Sequence, residues 1–468
     1  MHSIAHLIFS LNSTKRKMSK KVRKSTTWMK VRKLFNDIHL WGGLISGIVV
    51  FIVCITGTIY TYNTEIRAMA MPEFNKVKVE GTKKNADELL SIVEPEVNGK
   101  IVGVKVPFAE NATTMFMYNK KEKEGEGKEA EITKPEKVAS AQGEKGKSEN
   151  KEVSGGKPAA PVAAKAGPGG PGGGRGPRAN QLAVNPYTGQ IIGDPSDVKT
   201  KTAEFMGKMF SLHRWLLLNE IEEPIFEGVE NRKLGSWITG TATLLFLLGV
   251  ITGIVIWFPN KLRSWKNGLN IRWNANWKRV NHDLHNTLGF YSCIILFFMA
   301  VTGPFWSFDW YRAGWQKTWG TYKSPGAPKE EKAPVLSNIP ADGKKALNIE
   351  ETILAVNKIL PYDGDVTINF AKDSVGTVSI SKNRVGFFAP SAGDKLVLDQ
   401  YSGEVLERDV FREKPFNERA SASIKALHIG DIYGPFTKLL YFISCLIATS
   451  LPVTGVMIWI NKMKKKSK

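Results

Sequence analysis

The chain has 468 residues, with 65 Lys and Arg against 44 Asp and Glu, a formal net charge of +21 and 42% hydrophobic residues. Four windows of about 20 mainly apolar residues exclude a wholly soluble protein. The basic excess flanks those windows rather than marking a nucleic-acid face, so no nucleic-acid partner is expected.

Residues 1–38 hold ten Lys or Arg against one acid, Asp37. A second translation start is offered by Met18, which opens a Met-Ser-Lys-Lys run. The first span, residues 39–62 with its apolar window from Leu40 to Tyr62, then reads as an uncleaved signal-anchor. Residues 63–235 form a long polar segment, 236–258 the second span, 259–286 a short basic loop, and 287–308 the third span. Residues 309–435 form a second long polar segment, 436–460 the fourth span, and 461–468 a basic tail. The loop from Asn260 to Asn281 adds six Lys or Arg and the tail five, which with the N-terminus account for nearly all of the net charge. The positive-inside rule therefore puts both termini and the short loop in the cytoplasm and both long segments outside. Contact with anionic lipid also fits these charges. Cys54, Cys293 and Cys445 all fall inside spans, which suits packing residues and rules out a disulfide framework.

Each long segment reads as a small α+β module. In the first, a helix near Ala86 to Val97 precedes strands at Ile101–Pro107, Thr113–Tyr118 and Leu182–Asn185, a turn at Pro186–Gly189 and a short strand at Ile191. In the second, Ile349–Leu360 precedes Val366–Phe370, Thr377–Ser381 and Leu396–Leu398, with a turn at Gln400–Gly403 before Val405. Polar and apolar residues alternate around glycine-containing turns, as hairpins require. Residues 120–180, a Lys/Glu tract running into an Ala/Pro/Gly tract, have too little apolar surface to order themselves and read as a disordered insertion at a hairpin tip.

The spans repeat. His39 precedes Gly57 of Ile-Thr-Gly by 18 residues, and His285 precedes Gly303 of Val-Thr-Gly by the same 18. Spans two and four end alike, Thr252-Gly253 and Thr454-Gly455 each opening a run that reaches Ile-Trp and then Asn-Lys. His213 and His428 each follow a leucine upstream of spans two and four. The halves thus run inside to outside to inside, as parallel repeats. By this topology His39, His282 and His285 lie at the cytoplasmic face and His213 and His428 at the outer face. Eighteen helical residues rise about 27 Å, so Gly57 and Gly303 reach the outer face and Gly253 and Gly455 the inner.

Paired imidazoles near both faces suit b-type haem, which needs two neutral imidazoles across the iron. The expected pairs are His39 with His285 and His213 with His428. His282 would bond a propionate, exchange with His285, or meet headgroups. The glycines would let a flat macrocycle lie on the backbone, or serve close helix packing. Arg214, Lys278 and Arg279 are candidate propionate partners, the last two with snorkelling as the plainer reading. Trp41, Trp257 and Trp459, with Trp306, Trp310 and Trp315, suit interface belts. The alternative for the histidines is an interfacial set satisfied by water and headgroups.

The Asn-Pro-Tyr-Thr-Gly-Gln turn at Asn185 to Gln190, its twin Asp-Gln-Tyr-Ser-Gly-Glu at Asp399 to Glu404, the Asp-Leu-His of Asp283 to His285 and the Leu-His pairs resemble the PepSY-associated transmembrane family. One departure is Gln400 where proline is typical. The resemblance covers the chain outside roughly the first 25 residues and the insertion. It implies four spans, two external PepSY modules and two b-type haems, in an inner-membrane protein of the ferric-siderophore reductase type.

The expected activity is electron transfer from the cytoplasmic side to an outer acceptor, ferric siderophore iron or another oxidant. Phe305 to Trp319 and the Met206/Met209 segment would border the docking surface. Without a glycine-rich dinucleotide motif, the electrons come from a separate cytoplasmic reductant or a quinol. No nucleophile or carboxylate pair stands out as catalytic. A non-enzymatic alternative is a membrane-tethered PepSY protein that regulates or binds peptidases, with histidines that only pack. Transport is disfavoured, because charged groups are absent from the middle of every span and Lys438 lies near an end.

Overall fold

A computed structural model describes residues 27–120, 179–259, 262–324 and 333–466. The N-terminal residues 1–26 and almost all of the insertion expected at 120–180 lie outside the described residues.

In chain order the first helix is α1 (Thr27–Thr61), followed by α2 (Asn63–Ala70) and α3 (Ala86–Val93). Strands β1 (Gly99–Val106), β2 (Thr114–Lys120), β3 (Asn180–Val184) and β4 (Ile191–Gly193) come next. Then come α4 (Lys201–Trp215), α5 (Asn231–Trp257), α6 (Trp277–Thr302), α7 (Asp309–Thr318) and α8 (Ile349–Ile359). Strands β5 (Gly364–Asn369), β6 (Thr377–Arg384), β7 (Asp394–Asp399) and β8 (Val405–Asp409) precede α9 (Phe416–Ala422), α10 (Ile424–Ile429) and α11 (Gly434–Lys466).

Four helices are long and apolar enough to cross a membrane: Trp28–Thr61, Asn231–Trp257, Trp277–Trp306 and Gly434–Lys464. All four begin before the apolar windows they carry. His39 and His285 therefore lie well inside α1 and α6 rather than at a helix end. The four pack as a ring, α1 against α5 and α11, and α6 against α5 and α11. At the centre Val50, Cys54, Ala242, Leu296 and Ala448 are buried together, with Phe246 packed against them. Cys54 and Cys445 are buried free thiols, the latter 3.3 Å from the Cys54 carbonyl.

The strands depart from the expectation of two separate modules. They form one eight-stranded sheet in the order β4-β3-β2-β1-β5-β6-β7-β8. The join is antiparallel, with Val104 opposite Ile368 and Val106 opposite Val366. Alone, each module would leave β1 or β5 as a bare edge, and mutual pairing satisfies both. Gly103 permits the join, since a side chain there would collide with the Ile368 carbonyl. One core spans the seam, joining Leu89, Val93, Val104 and Phe116 to Val356, Ile368, Ile380 and Leu396.

Capping ties the halves again. Asn85 with Glu88, and Asn348 with Glu351, form capping boxes at the starts of α3 and α8. Each helix also lends an acid to the other. The Asp87 carboxylate accepts from Ile349 N and Glu350 N at 2.8 and 3.0 Å, and Glu350 accepts from Ala86 N at 2.9 Å. Asp87→Ala is expected to cost about 1 kcal/mol, as for a lost N-cap. The check is amide exchange in the intact protein, which speeds up at Ile349 and Glu350 if Asp87 caps them and stays at the wild-type rate if it does not.

The two related turns close alike. Asn185 Oδ1 accepts from Tyr187 N at 2.9 Å, and Asp399 Oδ1 from Tyr401 N at 2.8 Å. Gly189 and Gly403 adopt φ of +77° and +72°, open to glycine at little cost. The departing residue, Gln400, donates from Nε2 to the carbonyls of Asp373, Ser374 and Gly376, pinning its turn to the β5–β6 loop.

Candidate functional site

Two histidine pairs lie inside the helical bundle. His39 of α1 faces His285 of α6, with ring centroids 6.1 Å apart and planes at 87°. His213 of α4 faces His428 of α10, with centroids 6.3 Å apart and planes at 58°. The first pair sits toward the end of the bundle carrying Lys462 and the short loop, the second toward the sheet.

Each ring is held through Nδ1. His39 Nδ1 donates to the Gly249 carbonyl at 3.0 Å, His213 Nδ1 to Val53 O at 2.9 Å and His428 Nδ1 to Met299 O at 3.2 Å. His285 Nδ1 lies 2.9 Å from Thr454 Oγ1. The other three rings have the same kind of neighbour, Thr252 at 3.2 Å, Thr56 at 3.4 Å and Thr302 at 3.1 Å. Each threonine hydroxyl donates to the carbonyl four residues back, at Ile52, Leu248, Phe298 or Ser450, so its lone pair is left for the imidazole. A carbonyl only accepts, so Nδ1 carries the proton and Nε2 keeps its lone pair. This is the outer-partner arrangement that orients metal-ligating histidines.

The glycine after each threonine gives the ring its place. A Cβ on Gly57 would stand 3.1 Å from His213 Cε1, on Gly253 3.3 Å from His39 Cε1, on Gly455 3.4 Å from His285 Cε1 and on Gly303 3.6 Å from His428 Cε1. Each glycine thus abuts an imidazole from another helix. The equal spacing of His39 to Gly57 and His285 to Gly303 sets a common level for these contacts without joining the residues within a span.

Burial, chiefly, holds His213 and His428 well below the ordinary imidazole range, at about 4 and about 3. Both are neutral at pH 7, as ligation requires. Burial, with Arg232 and Arg312 nearby, also lowers Arg214 to about 10. Arg214 donates to the Trp306 carbonyl at 3.4 Å and faces no carboxylate among the described residues.

A cavity of roughly 250 Å³ surrounds the first pair and one of roughly 470 Å³ the second. Asn36, His282 and Asn286 also line the first; Arg214, Lys425 and Asp431 also line the second. Val50, Phe246 and Leu296 line both, so a single apolar layer separates them.

His282 lies beside the first pair but is half-exposed, with Nδ1 3.5 Å from Asp283 Oδ1. His285, not His282, faces His39. Arg279 is taken by the buried Asp283 at 2.9 Å rather than left to snorkel, because a buried carboxylate needs a partner. Trp257 is not a belt residue: it is buried, stacked on Phe290 at 3.7 Å and covered by Gly268. Trp306 leaves the belt too, its ring 5.1 Å from His428. Met206 is fully buried and cannot border a docking surface. Trp41 and Trp310 are exposed, as belt residues should be.

The spacing fits one metal between two imidazoles. With metal–nitrogen bonds of about 2 Å and ring nitrogens about 1.1 Å from the centroid, two ligands on one ion stand roughly 6.3 Å apart between centroids. Both pairs match that span. Sequence reasoning missed Thr56, Thr252, Thr302 and Thr454 as Nδ1 partners, although the four Thr-Gly pairs had already marked the positions.

Four helices able to cross a membrane, with one facing histidine pair on α1 and α6 and a second on the shorter α4 and α10, define a multi-pass membrane protein with two histidine sites. The model of the PepSY-associated TM region matches residues 37–462, and the chain belongs to that family. No curated protein matches the chain.

Proposed function

We propose that the protein is a di-haem b electron carrier of the inner membrane, passing electrons from a cytoplasmic donor to a periplasmic acceptor, for which ferric siderophore iron is the best candidate. The observation that carries this reading is the doubled pairing of imidazoles at the span of axial ligation, each held through Nδ1. His39 and His285 would hold one haem and His213 and His428 the other. When bound, iron porphyrin supplies reversible one-electron exchange between its ferric and ferrous forms.

The chain's own groups do the rest. The threonines and carbonyls fix tautomer and ring orientation, and the apolar wall of Val50, Phe246 and Leu296 keeps water out between the sites. Arg214 and Lys425 offer positive charge to carboxylates at the sheet-side cavity. The basic flanks orient the first pair toward the cytoplasm and the sheet toward the periplasm. A reduced flavin or quinol gives up two electrons and two protons on the inner side. Each electron converts one ferric ion outside to ferrous, which hard oxygen ligands hold less tightly.

The test is a difference spectrum of detergent-purified protein with and without dithionite, with haem counted as pyridine haemochrome. Two haems per chain are expected. Colourless protein from haem-replete cells would favour the peptidase-binding alternative.

A further inference from the structure

Six buried side-chain nitrogen or oxygen atoms have no hydrogen-bond partner among the described residues. Four are donors gathered at one place in the second half: Arg312 Nε, Trp315 Nε1, Trp319 Nε1 and Arg419 Nε. Arg312, Trp315 and Trp319 are spaced to share one face of α7 and its C-terminus. Trp319 meets Trp315 at 5.8 Å and Phe416 of α9 at 6.0 Å, and Asn417 of α9 donates to the Trp319 carbonyl at 2.9 Å. The donors therefore flank the packing of α7 on α9.

The cations there have few acidic partners. Arg312 has only a 3.4 Å contact with Asp309, whose side chain is almost fully exposed, and its guanidinium lies 5.7 Å over Phe305. No carboxylate is paired with Arg419 or Arg214 among the described residues. A buried donor without an acceptor is costly, and several beside cations with so little acidic pairing call for an oxygen-rich anion. The patch is also wired to the sheet-side pair: Phe305 touches Trp306 at 5.4 Å, and Trp306 touches His428 at 5.1 Å.

Resting on the reading above, we infer that this α7–α9 patch is the acceptor site, and that it selects anionic ferric chelates rimmed with catecholate or carboxylate oxygens over uncharged hydroxamate chelates. The part-exposed Arg312 guanidinium would meet the chelate's outer oxygens, and the exposed Trp310 and Phe416 offer flat apolar faces beside it. The ferric ion takes one electron and becomes ferrous, with no bond to the protein made or broken.

Gallium(III) is redox-inert and forms chelates of the same charge as ferric iron, so binding can be read without turnover. The haem-loaded protein in detergent is dialysed to equilibrium against gallium tris(catecholate) or an uncharged gallium tris(hydroxamate), and bound gallium is counted by mass spectrometry. The anionic chelate should bind the more tightly, and high salt should weaken it. Arg312→Gln and Arg419→Gln, with the haem spectrum unchanged, should each weaken it about tenfold or more. Equal binding of the two chelates by the wild-type protein, or wild-type affinity in both variants, overturns the inference and leaves the orphan donors to water. Because the wild-type comparison is decisive alone, a misfolded variant does not blunt the test. Charge-selective binding to a protein with no haem would instead sink the electron-transfer reading and keep the site.

Discussion

His39→Ala or His285→Ala is expected to remove one of two haems, and His213→Ala or His428→Ala the other. Each imidazole faces its partner at the ligand span, and neither cavity offers a second histidine in that geometry. Among the described residues His282 is the only other histidine at either cavity, and it is turned to Asp283. His282→Ala should thus leave both haems in place. The measurement is haemochrome stoichiometry, with the low-spin spectrum of the surviving centre as a folding control. Loss of both haems from every single variant would show instead that the pairs do not bind independently. Threonine variants should be milder: Thr302→Val removes one Nδ1 neighbour while the Met299 carbonyl remains, so haem stays bound and its potential shifts.

The second large effect is expected at the glycines. Gly57→Val places branched carbon where Cβ alone would already be 3.1 Å from the His213 ring, tighter than ordinary contact. The ring must swing off its Val53 carbonyl or α4 must move away from α1, and the sheet-side haem should be lost. Gly57→Ala should weaken that centre without abolishing it, since overpacking of this size costs about 1–3 kcal/mol. Gly303→Ala tests a different contact, because its Cβ would meet Thr243 Cγ2 at 3.0 Å before reaching His428 at 3.6 Å. Haem retention should therefore suffer more from Gly57→Ala than from Gly455→Ala, whose nearest imidazole atom is 3.4 Å away. Equal retention in the two alanine variants would contradict this ranking.

Much of this arrangement was legible in the sequence because the relevant patterns are local. The apolar windows gave the four helices, alternation around Asn185–Gln190 and Asp399–Glu404 gave the hairpins, and the repeated Leu-His and Thr-Gly pairs marked both histidine levels. The partners of those pairs were hidden because they sit on other helices: Gly57 serves His213, 156 residues downstream, rather than His39. The seam between β1 and β5 was hidden for the same reason. An edge strand and a paired strand have the same alternation, and only the approach at Gly103 reveals the neighbour. The tryptophans misled because aromatic residues near span ends suit both lipid and protein. Trp257 finds Phe290 and Gly268, and Trp306 finds His428.

The palindromic strand order has a consequence for how such a chain can be divided. A fragment ending before α6 would keep its hairpins but bare the backbone of β1, and the complementary fragment would bare β5. Each would also lose the acid that caps its module helix, Glu350 for α3 and Asp87 for α8. Because the seam is antiparallel, two copies of either fragment could meet edge to edge about a twofold axis. Severed halves are thus expected to be self-adhesive, and when mixed to compete between like and unlike partners, with the reciprocal caps favouring the native match.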